Sequence, residues 1–136
     1  MKLANCIIKD TNGKILLLHR NTPKRVQWEI PNGKVNLGEK PEHAAKRELK
    51  EELDVSVEVI RQIGIKDFAQ DGKRYKYYWY EAKVSSGKYQ LLEPHIHDDF
   101  RHFSLKDMKE LFEELSVNTK NFLASNNLSL KTPPAI

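Results

Sequence analysis

One strongly helical segment, residues 39–53, stands between stretches that have the pattern of β-strands, and this order limits the possible folds more than any other feature. Pro41 suits the first turn of a helix, and Glu42 follows it at the positive end of the helix dipole. Alanines and leucines fill the middle, and Asp54 is expected to end the helix. We therefore expect one central helix with strands before and after it in the chain.

Several runs have the alternation or the β-branched and aromatic content of strands: residues 3–9, 14–19, 28–31, 55–65 and 74–84. The turn residues at 10–13 and 70–73 predict two hairpins. Asn32 and Gly33 are expected to form a tight turn, in which Gly33 adopts backbone angles that other residues avoid.

The last third of the sequence predicts a short strand near Phe100 and then helices. Ser104 is a good N-cap for a helix over residues 104–115, with Asp107 three residues later in the manner of a capping box. A short helix over residues 116–124 is expected next, and residues 125–136 are expected to be irregular. Together these elements predict a mixed β-sheet with helices on its faces, an α/β or α+β sandwich.

Length and composition favour one domain over residues 1–136, because 136 residues suit one complete core and are too few for two ordinary domains. No apolar run is long enough to span a bilayer, so no membrane association is expected. The N-terminus lacks the features of a signal peptide, and we expect a cytoplasmic location. Cys6 is the only cysteine, which excludes an internal disulfide and a cysteine zinc cage; a buried structural thiol is expected.

The net charge of +4 coexists with a dense acidic helix, so positive potential must lie elsewhere on the surface. This arrangement suits an anionic ligand brought to a site near the acids. No basic run of the usual length occurs, so nucleic acid is an unlikely partner.

Three carboxylates of the helix, Glu48, Glu51 and Glu52, fall within one arc of roughly 100° on a helical wheel. Alanines and leucines share that arc, and lysines lie opposite, so the acids are expected to face the protein. Buried carboxylates without compensation are costly. A bound cation is the best reason for them; the alternative is a charged surface helix with pairs such as Arg47 and Glu51.

Carboxylate and carbonyl oxygens are the ligands that Mg²⁺ and Mn²⁺ prefer. Glu48, Glu51 and Glu52 could share an ion, and the loop before the helix could add the Gly33 carbonyl. Arg47 could orient a carboxylate without binding metal. Because Mg²⁺ commonly engages substrate phosphates, the site points to phosphoryl or pyrophosphate chemistry.

The stretch from residue 33 to residue 55 resembles the Nudix box of the Nudix (MutT-like) hydrolase superfamily. The family pattern is Gly, five residues, Glu, seven residues, Arg-Glu, an aliphatic residue, any residue, Glu-Glu, any residue, Gly and an aliphatic residue. This chain supplies the box at Gly33, Glu39, Arg47, Glu48, Leu49, Glu51, Glu52 and Val55. The chain departs from the pattern only at the second glycine, which is replaced by Asp54. This position is expected to be a left-handed helix cap, which aspartate tolerates better than most residues do.

The resemblance implies a Nudix-type α/β/α sandwich and Mg²⁺-dependent hydrolysis of a nucleoside diphosphate linked to another moiety. It implies catalytic roles for Glu48, Arg47 and Glu52, with Glu48 as general base, and metal binding by Gly33, Glu48, Glu51 and Glu52. Some Nudix families take the base or an extra ligand from a later loop, where Glu93 is the most suitable acid.

For substrate binding, the resemblance points to Arg20 at a strand end, to Glu93, and to Asn118 as a base-recognising residue, although an asparagine near a helix start is more often a cap. These residues favour a nucleoside triphosphate cleaved to a monophosphate and pyrophosphate. ADP-ribose, a nucleotide sugar and a dinucleoside polyphosphate are the alternative substrates. A non-catalytic module that binds nucleotide or RNA is the alternative from another class. A monomer or homodimer is expected.

Overall fold

The computed structural model describes the backbone of residues 1–131 and the side chains of residues 1–125. Its strands are β1 (Lys2–Ile8), β2 (Ile15–Asn21), β3 (Val26–Glu29), β4 (Asn32–Lys34), β5 (Ser56–Gln70), β6 (Lys73–Ser86) and β7 (His97–Phe103). Its helices are α1 (Pro41–Leu53), α2 (Leu105–Glu110) and α3 (Val117–Lys131), with a short 3₁₀ helix at Phe112–Glu114.

Two sheets form the centre of the molecule. One has the strand order β4-β1-β6-β5, in which β1 runs antiparallel to β4 and parallel to β6, and the other is the antiparallel sheet β3-β2-β7. The predicted mixed sheet is therefore confirmed. The parallel pairing needs a crossover, and the long path from β1 to β6 contains α1.

Along β1 and β2, successive side chains point to opposite faces of the sheets, so helices can pack on both faces. Cys6 and Leu16 point to a core formed with α1, whose Ala44 and Leu49 are fully buried there. Ile7, the neighbour of Cys6, points to a second core that includes Met108 of α2 and Phe122 of α3. The predicted sandwich is therefore confirmed.

Cys6 is a buried, free thiol, as expected. Burial raises its pKa to about 12, and its Sγ donates to the Ala45 carbonyl oxygen at 3.7 Å. It has the properties of a packed structural residue. Among the residues that the structure describes, no helix is both long enough and apolar enough to cross a bilayer.

Helix α1 ends where the box pattern breaks. Asp54 has φ 57° and ψ 35°, a left-handed conformation, and its N–H donates to the Lys50 carbonyl oxygen at 3.1 Å. This is the cap geometry expected of the family glycine, so the substitution keeps the helix end. The carboxylate of Asp54 also lies 3.2 Å from Lys50 Nζ.

The expectation of a tight turn at Asn32 and Gly33 was wrong. These residues belong to β4, where Gly33 lies opposite Ala4 of β1, and Gly33 is absent from the glycines that have a positive φ. Glycine is required there for a different reason. An added Cβ atom would lie 1.9 Å from Cδ of Glu48, so the absent side chain makes room for a carboxylate.

Helix α3 begins as predicted but extends to Lys131, beyond the expected end at residue 124. The expectation of irregular structure from residue 125 is therefore wrong for residues 125–131. Phe122 and Leu123 anchor the helix in the core, and each further turn then costs little because propagation adds one hydrogen bond per residue. Residues 132–136 lie outside the described part of the chain.

Candidate active site

The three acids of α1 differ in exposure. Glu52 is 5% exposed, the Glu48 side chain is 17% exposed and the Glu51 side chain is 53% exposed. The helical wheel therefore placed Glu48 and Glu52 correctly, whereas Glu51 lies at the boundary with solvent.

Glu52 is a buried carboxyl group without a partner. Among the described side chains, no hydrogen-bond donor or basic group lies within bonding distance of its carboxylate. Burial raises its pKa well above the usual value, and the charge of Glu48 adds to this effect. An unpaired buried acid of this kind is strongly destabilising, and a cation bound beside it would remove the cost. Glu52 therefore fits a cation ligand.

The acids do not, however, form a ready cage. Within residues 1–125, no three histidine, cysteine or acidic side chains are close enough together to hold an ion. Two of the three glutamates contact Arg47 Nη1 instead, Glu48 at 2.8 Å and Glu51 at 3.3 Å. Cation binding at α1 would thus require Glu51 or Glu48 to exchange contacts.

Arg47 occupies the centre of the box. Its Nε and Nη2 donate to the Glu39 carboxylate at 2.9 Å each, and Nη2 also donates to the Lys34 carbonyl oxygen at 2.9 Å. The hydrogen bond from Arg47 lowers the pKa of Glu39 to about 2. Arg47 therefore connects the loop before α1, strand β4 and the acids of α1.

A second cluster lies at the ends of β2 and β3. Arg20 donates from Nε to Glu29 Oε1 at 2.9 Å and from Nη2 to Glu29 Oε2 at 3.0 Å. Glu29 is buried and also contacts His97 and Gln27. Glu29 was not predicted from the sequence, where its only signal is a charged residue between the apolar residues Trp28 and Ile30.

The loop that carries Glu93 lies against α1. The Leu92 N–H donates to the Glu52 carbonyl oxygen at 3.1 Å, which ties the loop to the acidic helix. The charge of Glu93 contributes to the raised pKa of both Glu48 and Glu52. The charge of Glu93 also raises the pKa of Arg20.

A cavity of about 350 Å³ opens at the cluster of Arg20 and Glu29. It is lined by Arg20, Glu29, Tyr75, Tyr77, Asn118 and other residues, including the cationic Lys24 and Arg25. Arg20 and Asn118, which are 98 positions apart in sequence, thus face one space. A cavity of this size with charged and aromatic walls suits a small anionic ligand that has a ring.

Asn118 is not the cap of α3. Ser116 has that role, because its Oγ accepts from the Thr119 N–H at 3.1 Å. Asn118 is buried, and its Oδ1 accepts from Trp79 Nε1 at 3.0 Å while its Nδ2 donates to Asn5. Since the indole N–H can only donate, this contact fixes the orientation of the Asn118 amide at the cavity wall.

The aromatic strand β6 is mainly structural. Tyr77 and Trp79 are buried in the core with Phe122, and Phe68 lies 4.3 Å from Tyr77 between ring centroids. Tyr75 and Tyr77 also present part of their surface to the cavity. His97, which contacts Glu29, is also buried.

The sandwich fold and the spacing of the acidic helix define the class of Nudix hydrolases. The chain belongs to this family: residues 2–125 match the NUDIX domain model. Nudix hydrolases generally use divalent metal cations. The family resemblance, the fold and the enzyme class expected from the sequence are therefore confirmed.

Three relatives illustrate the similarity. An 8-oxo-dGTP diphosphatase from Buchnera aphidicola subsp. Acyrthosiphon pisum is 29% identical over 118 residues, which cover 87% of this chain and 94% of that protein. A MutT NUDIX hydrolase from Burkholderia pseudomallei has a TM-score of 0.76 and 28% identity, covering 91% of this chain and 97% of that chain. A C. elegans Ap4A hydrolase has a TM-score of 0.72 and 25% identity, covering 95% of this chain and 96% of that chain.

Proposed function

We propose that this Nudix hydrolase cleaves a nucleoside triphosphate, with a ribose or deoxyribose sugar, to a nucleoside monophosphate and pyrophosphate. The observation that carries the proposal is the cavity that Arg20 and Asn118 both line, since Arg20 is also under the influence of the charge of Glu52 on α1. A cationic side chain at one wall suits phosphate, and a fixed amide with tyrosines at another suits a base.

The proposed cofactor is Mg²⁺, with Mn²⁺ as a possible replacement. Glu48, Glu51 and Glu52 would hold it, together with the backbone carbonyl of Gly33. The buried, unpaired Glu52 supports this assignment most strongly. When bound, the ion would neutralise charge on the pyrophosphate and activate water for attack on phosphorus.

The side chains have distinct proposed roles. Glu48 accepts a proton from the attacking water, and Arg47, 2.8 Å away, orients its carboxylate. Burial raises the pKa of Glu48 and Arg47 opposes the rise, so the group stays able to accept a proton. Arg20 binds phosphate and Asn118 binds the base. Glu93, whose charge acts on Glu48 and Arg20, is the alternative base and a further candidate for substrate binding.

The bond that breaks joins the α- and β-phosphates, and one water is consumed. The attacking oxygen stays on the phosphorus that it meets, and pyrophosphate or the monophosphate leaves. Because one general base suffices for this reaction, the Glu48→Gln and Glu93→Gln variants should separate the two candidates. Because Glu48 is also a proposed metal ligand, kcat is compared at saturating Mg²⁺, and the variant that loses more kcat there identifies the base.

The test is a panel of substrates with Mg²⁺, with pyrophosphate and orthophosphate release followed separately. The panel contains the common ribo- and deoxyribonucleoside triphosphates, 8-oxo-dGTP, Ap4A, ADP-ribose and a nucleotide sugar. We expect the highest kcat/KM for a nucleoside triphosphate, and we expect pyrophosphate as a product. Higher kcat/KM for Ap4A, ADP-ribose or the nucleotide sugar would replace the proposed substrate class.

We also propose a cytoplasmic location and a monomeric or homodimeric state.

A further inference from the structure

Glu29 is a buried carboxylate whose four hydrogen bonds are all to protein. Oε1 accepts from Arg20 Nε at 2.9 Å and from Gln27 Nε2 at 3.0 Å. Oε2 accepts from Arg20 Nη2 at 3.0 Å and lies 3.0 Å from His97 Nε2. Four such contacts use the full accepting capacity of a carboxylate. Glu29 therefore has no free lone pair with which to bind a ligand.

Ionisation fixes the direction of the His97 contact. Burial alone would raise the pKa of Glu29, but hydrogen bonds from His97 and Arg20 lower it to about 2. An ionised carboxylate only accepts, so His97 Nε2 carries a hydrogen and donates it. Glu29 is thus neither an acid nor a base near neutral pH, and its contacts serve to hold other groups in place.

The group that Glu29 holds is Arg20. The Nε and Nη2 edge of the guanidinium is occupied by Glu29, and Nη1 has no acceptor among the described residues. The edge formed by Nη1 and Nη2 is therefore available for an oxygen pair in the cavity that Arg20 lines. A guanidinium held along one edge can bind phosphate along another without first losing rotamer entropy.

His97 links this pair to the loop of Glu93. Its side chain donates to Glu29, while its backbone N–H donates to the Glu93 carbonyl oxygen at 2.9 Å. The same loop is tied to α1 through Glu52, whose carbonyl oxygen accepts from Leu92. One buried histidine thus connects the phosphate-binding wall with the loop that carries the alternative base.

We propose that Glu29 and His97 are positioning residues that hold Arg20 against the substrate phosphates, so that they affect nucleotide binding only through Arg20. This inference rests on the proposed binding of phosphate by Arg20. It assigns a role in substrate binding to two residues that do not contact the substrate.

The test is a double-mutant cycle on the dissociation constant of α,β-methylene-dGTP, a triphosphate that resists cleavage, measured by calorimetry with Mg²⁺. We expect Glu29→Gln and Arg20→Lys each to raise Kd by about tenfold, because each removes charge-assisted hydrogen bonds. The double variant should bind about as well as Arg20→Lys alone, since the two residues act as a unit. Additive losses, or an unchanged Kd in Glu29→Gln, would overturn the inference.

A second pair of variants keeps the test decisive if Glu29→Gln fails to fold. His97→Leu removes the donor, whereas His97→Gln can return an N–H to Glu29. We expect weaker binding in the first and recovery of most of the affinity in the second. Equal Kd values in the two variants would contradict the positioning role.

Glu81→Gln is the matched control for the glutamate change. Glu81 also accepts from an arginine, Arg61 at 2.8 Å, but on the β5 and β6 hairpin and outside the cavity lining. It should leave Kd unchanged. Because the cycle measures binding, it separates the two proposals: coupling without any hydrolysis would refute the proposed reaction alone, and hydrolysis without coupling would refute this inference alone.

Discussion

Replacement of Gly33 by alanine should disturb the active site by displacing one neighbouring side chain, that of Glu48. The new Cβ would lie 1.9 Å from both Cγ and Cδ of Glu48. The backbone of Gly33 has little freedom to retreat, because β4 pairs with β1 at Ala4. Glu48 must therefore move and give up its 2.8 Å contact with Arg47. Overpacking of this kind costs about 1–3 kcal/mol of unfolding free energy.

The kinetic effect should exceed the effect on stability. Displacement of a reacting group by about 1 Å can cost roughly 100-fold in rate, so kcat should fall by about that factor in the Gly33→Ala variant. Urea unfolding and steady-state kinetics with Mg²⁺ measure the two quantities. If Gly33→Ala kept more than half of the wild-type kcat, the close approach to Glu48 would not matter for catalysis.

A double-mutant cycle with Glu48→Ala tests whether the loss of stability comes from the contact between the new Cβ and Glu48. Truncation of Glu48 removes the atoms that the new Cβ would meet. In the Glu48→Ala background, the change Gly33→Ala should therefore cost less than about 0.5 kcal/mol, because no overpacking remains. An equal cost in both backgrounds would show that the strain lies in the backbone of β4.

Further changes have separate expected outcomes. Glu48→Gln and Glu52→Gln should each lower kcat by orders of magnitude while circular dichroism shows an intact fold; near-normal turnover in both would refute the placement of the chemistry. Asp54→Gly should raise the free energy of unfolding by up to about 1 kcal/mol, because glycine adopts the left-handed cap at lower cost, with kcat unchanged. The lowered pKa of Glu29, about 2, contributes stability that is present above the unfolded pKa of about 4.3 and is lost as pH falls through about 2. Glu29→Gln should therefore flatten the acid limb of stability between about pH 4.5 and 2, measured by thermal unfolding; an unchanged limb would contradict the assigned contacts.

Local periodicity was enough to predict α1 and its orientation. Ala44, Ala45, Leu49 and Leu53 are all buried, as the wheel requires. The same pattern predicted the burial of Glu52. It did not predict the exposure of Glu51, whose side chain is 53% exposed.

Contacts between distant parts of the chain account for what the sequence did not predict. His97 and Glu29 are 68 residues apart, and no local pattern joins them. Gly33 was recognised from its spacing, but the physical reason was wrong, since the requirement comes from Glu48 on another element and not from a turn. Asn118 was predicted from the family resemblance to recognise the base. The hydrogen bond from Trp79, which fixes the orientation of its amide, is visible only in the structure.

The central claim is that the carboxylates of α1 support cleavage of a nucleoside triphosphate between its α- and β-phosphates. Phosphorus NMR of a dNTP incubated with Mg²⁺ and the wild-type enzyme, in parallel with Glu52→Gln, tests it most directly. The account predicts equal amounts of monophosphate and pyrophosphate from the wild type, and intact dNTP with the folded variant. Release of orthophosphate as the first product, or equal turnover by the variant, would contradict it.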